Sequence, residues 1–164
     1  MNRNIALGLA SLALVSLASS CTSAPADVSG VWSVNLTNGA NGCMVSGWTA
    51  GETSAGVPMT ITQSGSTVTA DIGGPAAVLL NLALGTSRLT GVVNGSTVDL
   101  HADGRPGAEG ACAFTSQLDI TLRVTGDTLT GTTSWSYNAN ASPECDYRAT
   151  CESVQALNGA RPPR

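Results

Sequence analysis

One histidine, five cysteines, eleven acids and seven arginines, with no lysine, are the residues of this chain that could do chemistry. His101 is the sole imidazole. A Ser–His pair, a histidine metal cluster or a Cys–His dyad would each have to use it. It falls on the wet face of an expected strand, opposite Arg88, and reads as an exposed surface histidine. The absence of lysine removes Schiff-base and P-loop chemistry. No Gly-x-Ser-x-Gly elbow occurs. A glycosidase needs two convergent carboxyls, yet Asp99, Asp103, Asp119 and Asp127 are scattered over turns and wet strand faces. The segment Asp103 to Glu109 offers a calcium alternative and nothing stronger. The residues therefore point to a non-enzymatic protein without a cofactor.

The elements that would carry these residues are β-hairpins. MTITQSGSTVTADI (59–72) alternates around Ser64-Gly65, LTGVVNGSTVDL around Asn94-Gly95, and ITLRVTGDTLTG around Thr125-Gly126. Alternation of apolar with polar residues is the period of a strand with one wet face. Reading each Gly as the second residue of a two-residue loop sets Ile61 opposite Val68, Leu89 opposite Leu100, and Leu122 opposite Leu129. In that register Ile61, Val68, Leu89, Val98, Leu100, Ile120, Leu122 and Leu129 share one core. On the third hairpin Phe114, Ser116 and Leu118 point the same way as Gly131, Thr133, Trp135 and Tyr137.

Elsewhere the pattern predicts a first strand from Gly30 through Trp32, Val34 and Leu36. A second runs from Cys43 to near Trp48. Loops cover 49–56, 102–111 and 138–150. A last strand over 153–157 returns to pair with the first. Residues 75–84 break the alternation: the run starts with Pro75 and ends before Gly85, the asymmetry of a short helix. The count of eight or nine strands predicts an all-β, antiparallel up-and-down β-barrel, with a two-sheet β-sandwich as the alternative. Small interior residues (Gly91, Ala70, Gly131) would leave room inside; Trp32, Trp135 and Phe114 would fill it.

Composition narrows the partners. The net charge is −4, and nothing supplies a basic patch for phosphates, so nucleic acid is excluded as a partner. Residues 1–20 carry Arg3 and then an apolar run from Ile5 to Leu17, too short for an ordinary span and suited to a signal peptide. The run ends in Leu17-Ala18-Ser19-Ser20-Cys21, which resembles the lipobox of bacterial lipoproteins. It departs from that pattern in placing Ala18 three before the cysteine and Leu17 one step further out. The resemblance implies acylation (palmitate among the chains) on Cys21 as the mature N-terminus. With Thr22 rather than Asp after it, it also implies an outer-membrane location in the cell envelope. The alternative is cleavage near Ala24 or Ala26 and a secreted domain. The chain divides into signal peptide (1–20), tether (21–29), barrel domain (30–160) and tail (161–164).

With Cys21 taken by lipid, Cys43, Cys112, Cys145 and Cys151 remain, an even number that in an exported chain points to two disulfides. Three connectivities are possible. Cys145 and Cys151 have five residues between them, which favours that bridge and leaves Cys43 with Cys112. Gly30-Val31-Trp32 at the head of the first strand resembles the Gly-x-Trp of lipocalins and related small barrels, where the Trp plugs one end. That resemblance implies a small apolar ligand, or an envelope protein bound at the rim as small-barrel protease inhibitors do. A structural surface lipoprotein without a ligand is the other reading, and an interior pocket is what separates them.

Overall fold

Apolar residues alternating with threonine-rich positions build eight antiparallel strands. The computed structural model describes residues 24–139 and 145–163. Its strands are β1 (Gly30–Asn41), β2 (Thr53–Ser64), β3 (Thr67–Ile72), β4 (Arg88–Asn94), β5 (Thr97–Glu109), β6 (Cys112–Thr125), β7 (Thr128–Asn138) and β8 (Ser153–Ala160). Each pairs with its neighbour in sequence, and β8 closes on β1. The sheet is thus a closed up-and-down barrel rather than a sandwich, and closure removes exposed edges. Helix α1 (Gly74–Ala83) links β3 to β4, and the single turn α2 (Asp146–Ala149) precedes β8.

The expected core is present: Ile61, Val68, Leu89, Val98, Leu100, Ile120, Leu122 and Leu129 are all buried in one cluster, joined by Trp32, Met59 and Leu157. The outer wall is the reverse. Thr60, Thr62, Thr90, Asp99, Thr121, Arg123, Thr130 and Thr132 are exposed. A barrel that crosses a membrane shows lipid an apolar outer band, and this wall is polar instead.

The register differs from the expected one by two residues in every hairpin. Ile61 faces Ala70, Gly91 faces Leu100, and Leu122 faces Gly131. The loops are Gly65-Ser66, Gly95-Ser96 and Gly126-Asp127, with glycine first, at φ of 61°, 58° and 59°. Ser66, Ser96 and Asp127 have no positive φ. This is the type II′ arrangement rather than the Asn-Gly type I′ arrangement. Side chains repeat every two residues, so a two-residue slip leaves every residue on its expected face.

Four further expectations are corrected. Residues 43–48 form no strand; the β1–β2 connection fills this region, and β2 starts at Thr53 inside the expected loop. The expected loop 102–111 is mostly strand: β5 continues to Glu109 and, past an irregularity between Asp103 and Pro106, pairs with β6 up to Cys112. Its tip, Gly110-Ala111, repeats the glycine-first turn, with φ of 59° at Gly110. Gly91 and Gly131 leave no room inside. A Cβ on either would collide with the backbone of the next strand, at Asp99 and Thr121 respectively. They permit close strand approach.

Candidate functional site

The two ends of the barrel are built differently. One end carries the β2–β3, β4–β5 and β6–β7 turns and is sealed. Trp32 is fully buried there, and its Nε1 donates to the Val28 carbonyl at 3.0 Å. The incoming chain crosses this end: Ala26 N donates to Gly95 O at 2.7 Å, and Val28 N donates to Gln63 Oε1 at 2.9 Å. Residues 26–29 are therefore part of the barrel and not a tether. Arg161, expected in a tail, is also part of it. Its guanidinium lies 4.5 Å from the Trp32 ring centre, with Nε donating to Asp127 at 2.9 Å and Nη1 to Ser29 O at 2.6 Å.

The opposite end is open. A cavity of about 440 Å³ enters the barrel between α1 and the β1–β2 connection. Its inner wall is Val34, Met59, Leu118, Ile120, Trp135 and Leu157, and Trp48 and Glu52 stand at the connection. Pro75 lies in the first turn of α1, and Gly85, with φ of 78°, follows its C-terminal cap Leu84, close to the sequence pattern. The helix lines the cavity with Ala76, Leu79, Leu80 and Ala83. Its other side leaves Val78 and Leu82 exposed, and Leu79 is itself largely exposed. Nothing in α1 is charged.

Inside the mouth runs a chain of amides and hydroxyls. Thr133 Oγ1 donates to Gln155 Oε1 at 3.0 Å, Gln155 Nε2 to Asn38 Oδ1 at 2.8 Å, and Asn38 Nδ2 to Thr49 O at 3.2 Å. The connection is held further by Asn41, which exchanges hydrogen bonds with Val45, and by Trp48 Nε1 donating to Gly39 O at 3.0 Å. These part-buried amides are hydrogen-bonded to one another and to the connection's backbone, which favours one arrangement of the mouth.

No motif in the sequence marks Asn38, Thr133, Gln155 or Trp48 as site residues. A signal existed for three of them. They are polar residues at inward positions of their strands, two along from Leu36, Trp135 and Leu157. Trp48 gives no such signal, because the pattern predicts a strand from Cys43 to near Trp48.

His101 lies on the outer wall, away from this cavity. It faces Thr90 and Asp119, not Arg88. Nδ1 is 2.7 Å from Asp119 and Nε2 is 3.1 Å from Asp103. The hydrogen bond to Asp119, with Asp103 assisting against partial burial, holds the imidazole pKa above its ordinary value. Asp103 is held below its ordinary value, chiefly by Gln117 and then His101. Arg88 pairs with Asp71 at 2.8 Å. Asp99 accepts from Thr121, and Asp127 belongs to the Arg161 cluster. Glu109 pairs with Arg148. Among the described residues no group of three or more His, Cys, Asp or Glu could hold a metal ion.

The four expected cysteines do form two disulfides, but not in the favoured pairing: they are Cys43–Cys151 and Cys112–Cys145. Asn41 of β1 faces Ser153 of β8. Continuing that register outward brings 43 to 151, and the Cα atoms are 4.8 Å apart. Strand pairing decides the bridge, not the short intervening loop. Cys21 lies outside the described residues.

The fold and site together define a closed eight-stranded antiparallel barrel with a ligand-sized, mainly apolar cavity at one mouth. No family model matches the chain, and neither a curated protein nor a solved structure matches it.

Proposed function

We propose that the protein is a non-enzymatic binding module of the cell envelope that holds a small, mainly apolar ligand in the barrel mouth. The cavity carries the reading: about 440 Å³ falls within the roughly 300–1,000 Å³ of small-molecule sites. Its polar lining is mostly amides and hydroxyls that can orient a ligand. The one imidazole and its carboxylate partners sit on the other side of the wall.

The envelope location rests on the lipobox resemblance at Cys21. With residue 26 fixed to the barrel, the stretch from 21 to 26 reaches at most about 18 Å. Lipid on Cys21 would keep the sealed end near the bilayer and turn the mouth away from it. An acidic domain without a basic amphipathic helix has no affinity of its own for anionic lipid, so two or more acyl chains would do the holding. The lipocalin resemblance at Gly30-Val31-Trp32 agrees with a carrier role, since Trp32 seals the end opposite the cavity. Among the described residues no helix is long and apolar enough to cross a membrane.

The test is to isolate the disulfide-bonded protein from its own envelope and analyse what comes with it. A stoichiometric apolar small molecule, lost when Ser116 in the cavity wall is changed to Phe, supports the reading. Protein that is empty when isolated, and that takes up nothing from an envelope lipid extract, argues for a structural role instead.

A further inference from the structure

The charges at the mouth bear on what the ligand can be. No Arg or His lines the cavity, and the chain has no Lys. Glu52 is the only Asp or Glu in the lining. It is exposed, and it makes no ion pair within the described residues. Two indoles, Trp48 and Trp135, line the same space. Trp48 shares the β1–β2 connection with Glu52, where the Glu52 carbonyl accepts from Asn38 N at 2.9 Å.

A ligand with an anionic head would meet a like charge and no cationic lining residue, since Arg148, over the ring of the lining residue Tyr137, is paired with Glu109; it would also lose water in doing so. A positively charged head meets a carboxylate and aromatic faces, the pairing that favours organic ammonium groups. Resting on the cavity reading above, we infer that the site takes an amphiphile with an organic ammonium head, its chain inside the barrel and its head beside Glu52 and Trp48.

The experiment uses the disulfide-bonded chain from residue 24, loaded with the neutral fluorophore N-phenyl-1-naphthylamine. Dodecyltrimethylammonium and dodecanoate, below their micelle-forming concentrations, and dodecanol, below its solubility limit, compete with it. The ammonium should compete about tenfold better than the carboxylate, with the alcohol between them, and salt should narrow the spread. Glu52→Gln should bring the ammonium close to the alcohol and leave the alcohol unchanged, while Trp48→Leu should weaken the ammonium most. Dodecanoate competing as well as the ammonium, or an unchanged order in Glu52→Gln, overturns the inference and leaves the cavity reading standing. A fluorophore that never binds overturns both.

Discussion

The Arg161 guanidinium stacks over the Trp32 ring, 4.5 Å from its centre, and joins the last strand to the first at the sealed end. Its side chain is only 7% exposed. Asp127 and the carbonyls of Asp27, Ser29 and Gly126 take its donors. Arg161→Ala would strip these partners and uncover Trp32. We expect a loss of about 2–4 kcal/mol, read as a lower urea midpoint with the same slope. Lys at this position should recover only part of it, because it lacks the planar fork. A change below about 0.5 kcal/mol would make Arg161 the tail residue that the sequence suggested.

Gly91 and Gly131 allow β4 and β7 to press against their neighbours. Gly91→Ala and Gly131→Ala should each cost about 2–4 kcal/mol, because the clash is with backbone that cannot step aside. Gly47, where an added Cβ meets nothing within 4 Å, has only its φ of 74° to lose and should cost less. Denaturant melts of the three variants give the order.

The disulfides should map as Cys43–Cys151 and Cys112–Cys145 in peptides prepared without reductant. They span 108 and 33 residues. Replacing Cys43 and Cys151 together by Ser should cost up to about 5 kcal/mol, and the shorter pair about 3–4 kcal/mol. Recovery of a Cys145–Cys151 peptide from folded protein would contradict the barrel register.

His101 should make stability depend on pH in a defined window. Its folded pKa is raised, so its contribution is fully present below the ordinary value of about 6.5 and fades as pH rises through the folded value. Asp103 is lowered, so its contribution is present above about 3.8 and fades as pH falls. Both contributions are complete between those two values and fade beyond them, through the folded values. His101→Gln should therefore lower stability near pH 5, and that charge-linked loss should shrink as pH rises through the folded value. The effect will be small, since the ring is 43% exposed. An imidazole titration by NMR at or below 6.5 would contradict the geometry.

The barrel was legible from the hairpins because the inward and outward sets follow a period of two that turns cannot disturb. The eight core residues around the glycine turns stand where alternation puts them, and Pro75 and Gly85 mark α1. The register was not legible to better than two residues. Asn94-Gly95 looks like a type I′ turn, yet Ser96 takes the second loop position. The bridge between Cys43 and Cys151 was within reach, because a last strand paired with the first implies it; loop length was the wrong guide. The site was harder. A cavity is missing volume, and what lines it depends on how the β1–β2 connection folds back through Asn38 and Asn41. Polar residues at inward positions were the available sign, and Asn38, Thr133 and Gln155 carry it.

Binding in the barrel mouth is tested most directly by titrating the disulfide-bonded chain from residue 24 with N-phenyl-1-naphthylamine. Its fluorescence rises in an apolar site. The account predicts a saturable rise with one site per chain. It also predicts at least tenfold weaker binding in Ser116→Phe, whose ring would occupy the cavity while the barrel keeps its circular dichroism. No saturable rise, or equal binding by Ser116→Phe, would contradict it.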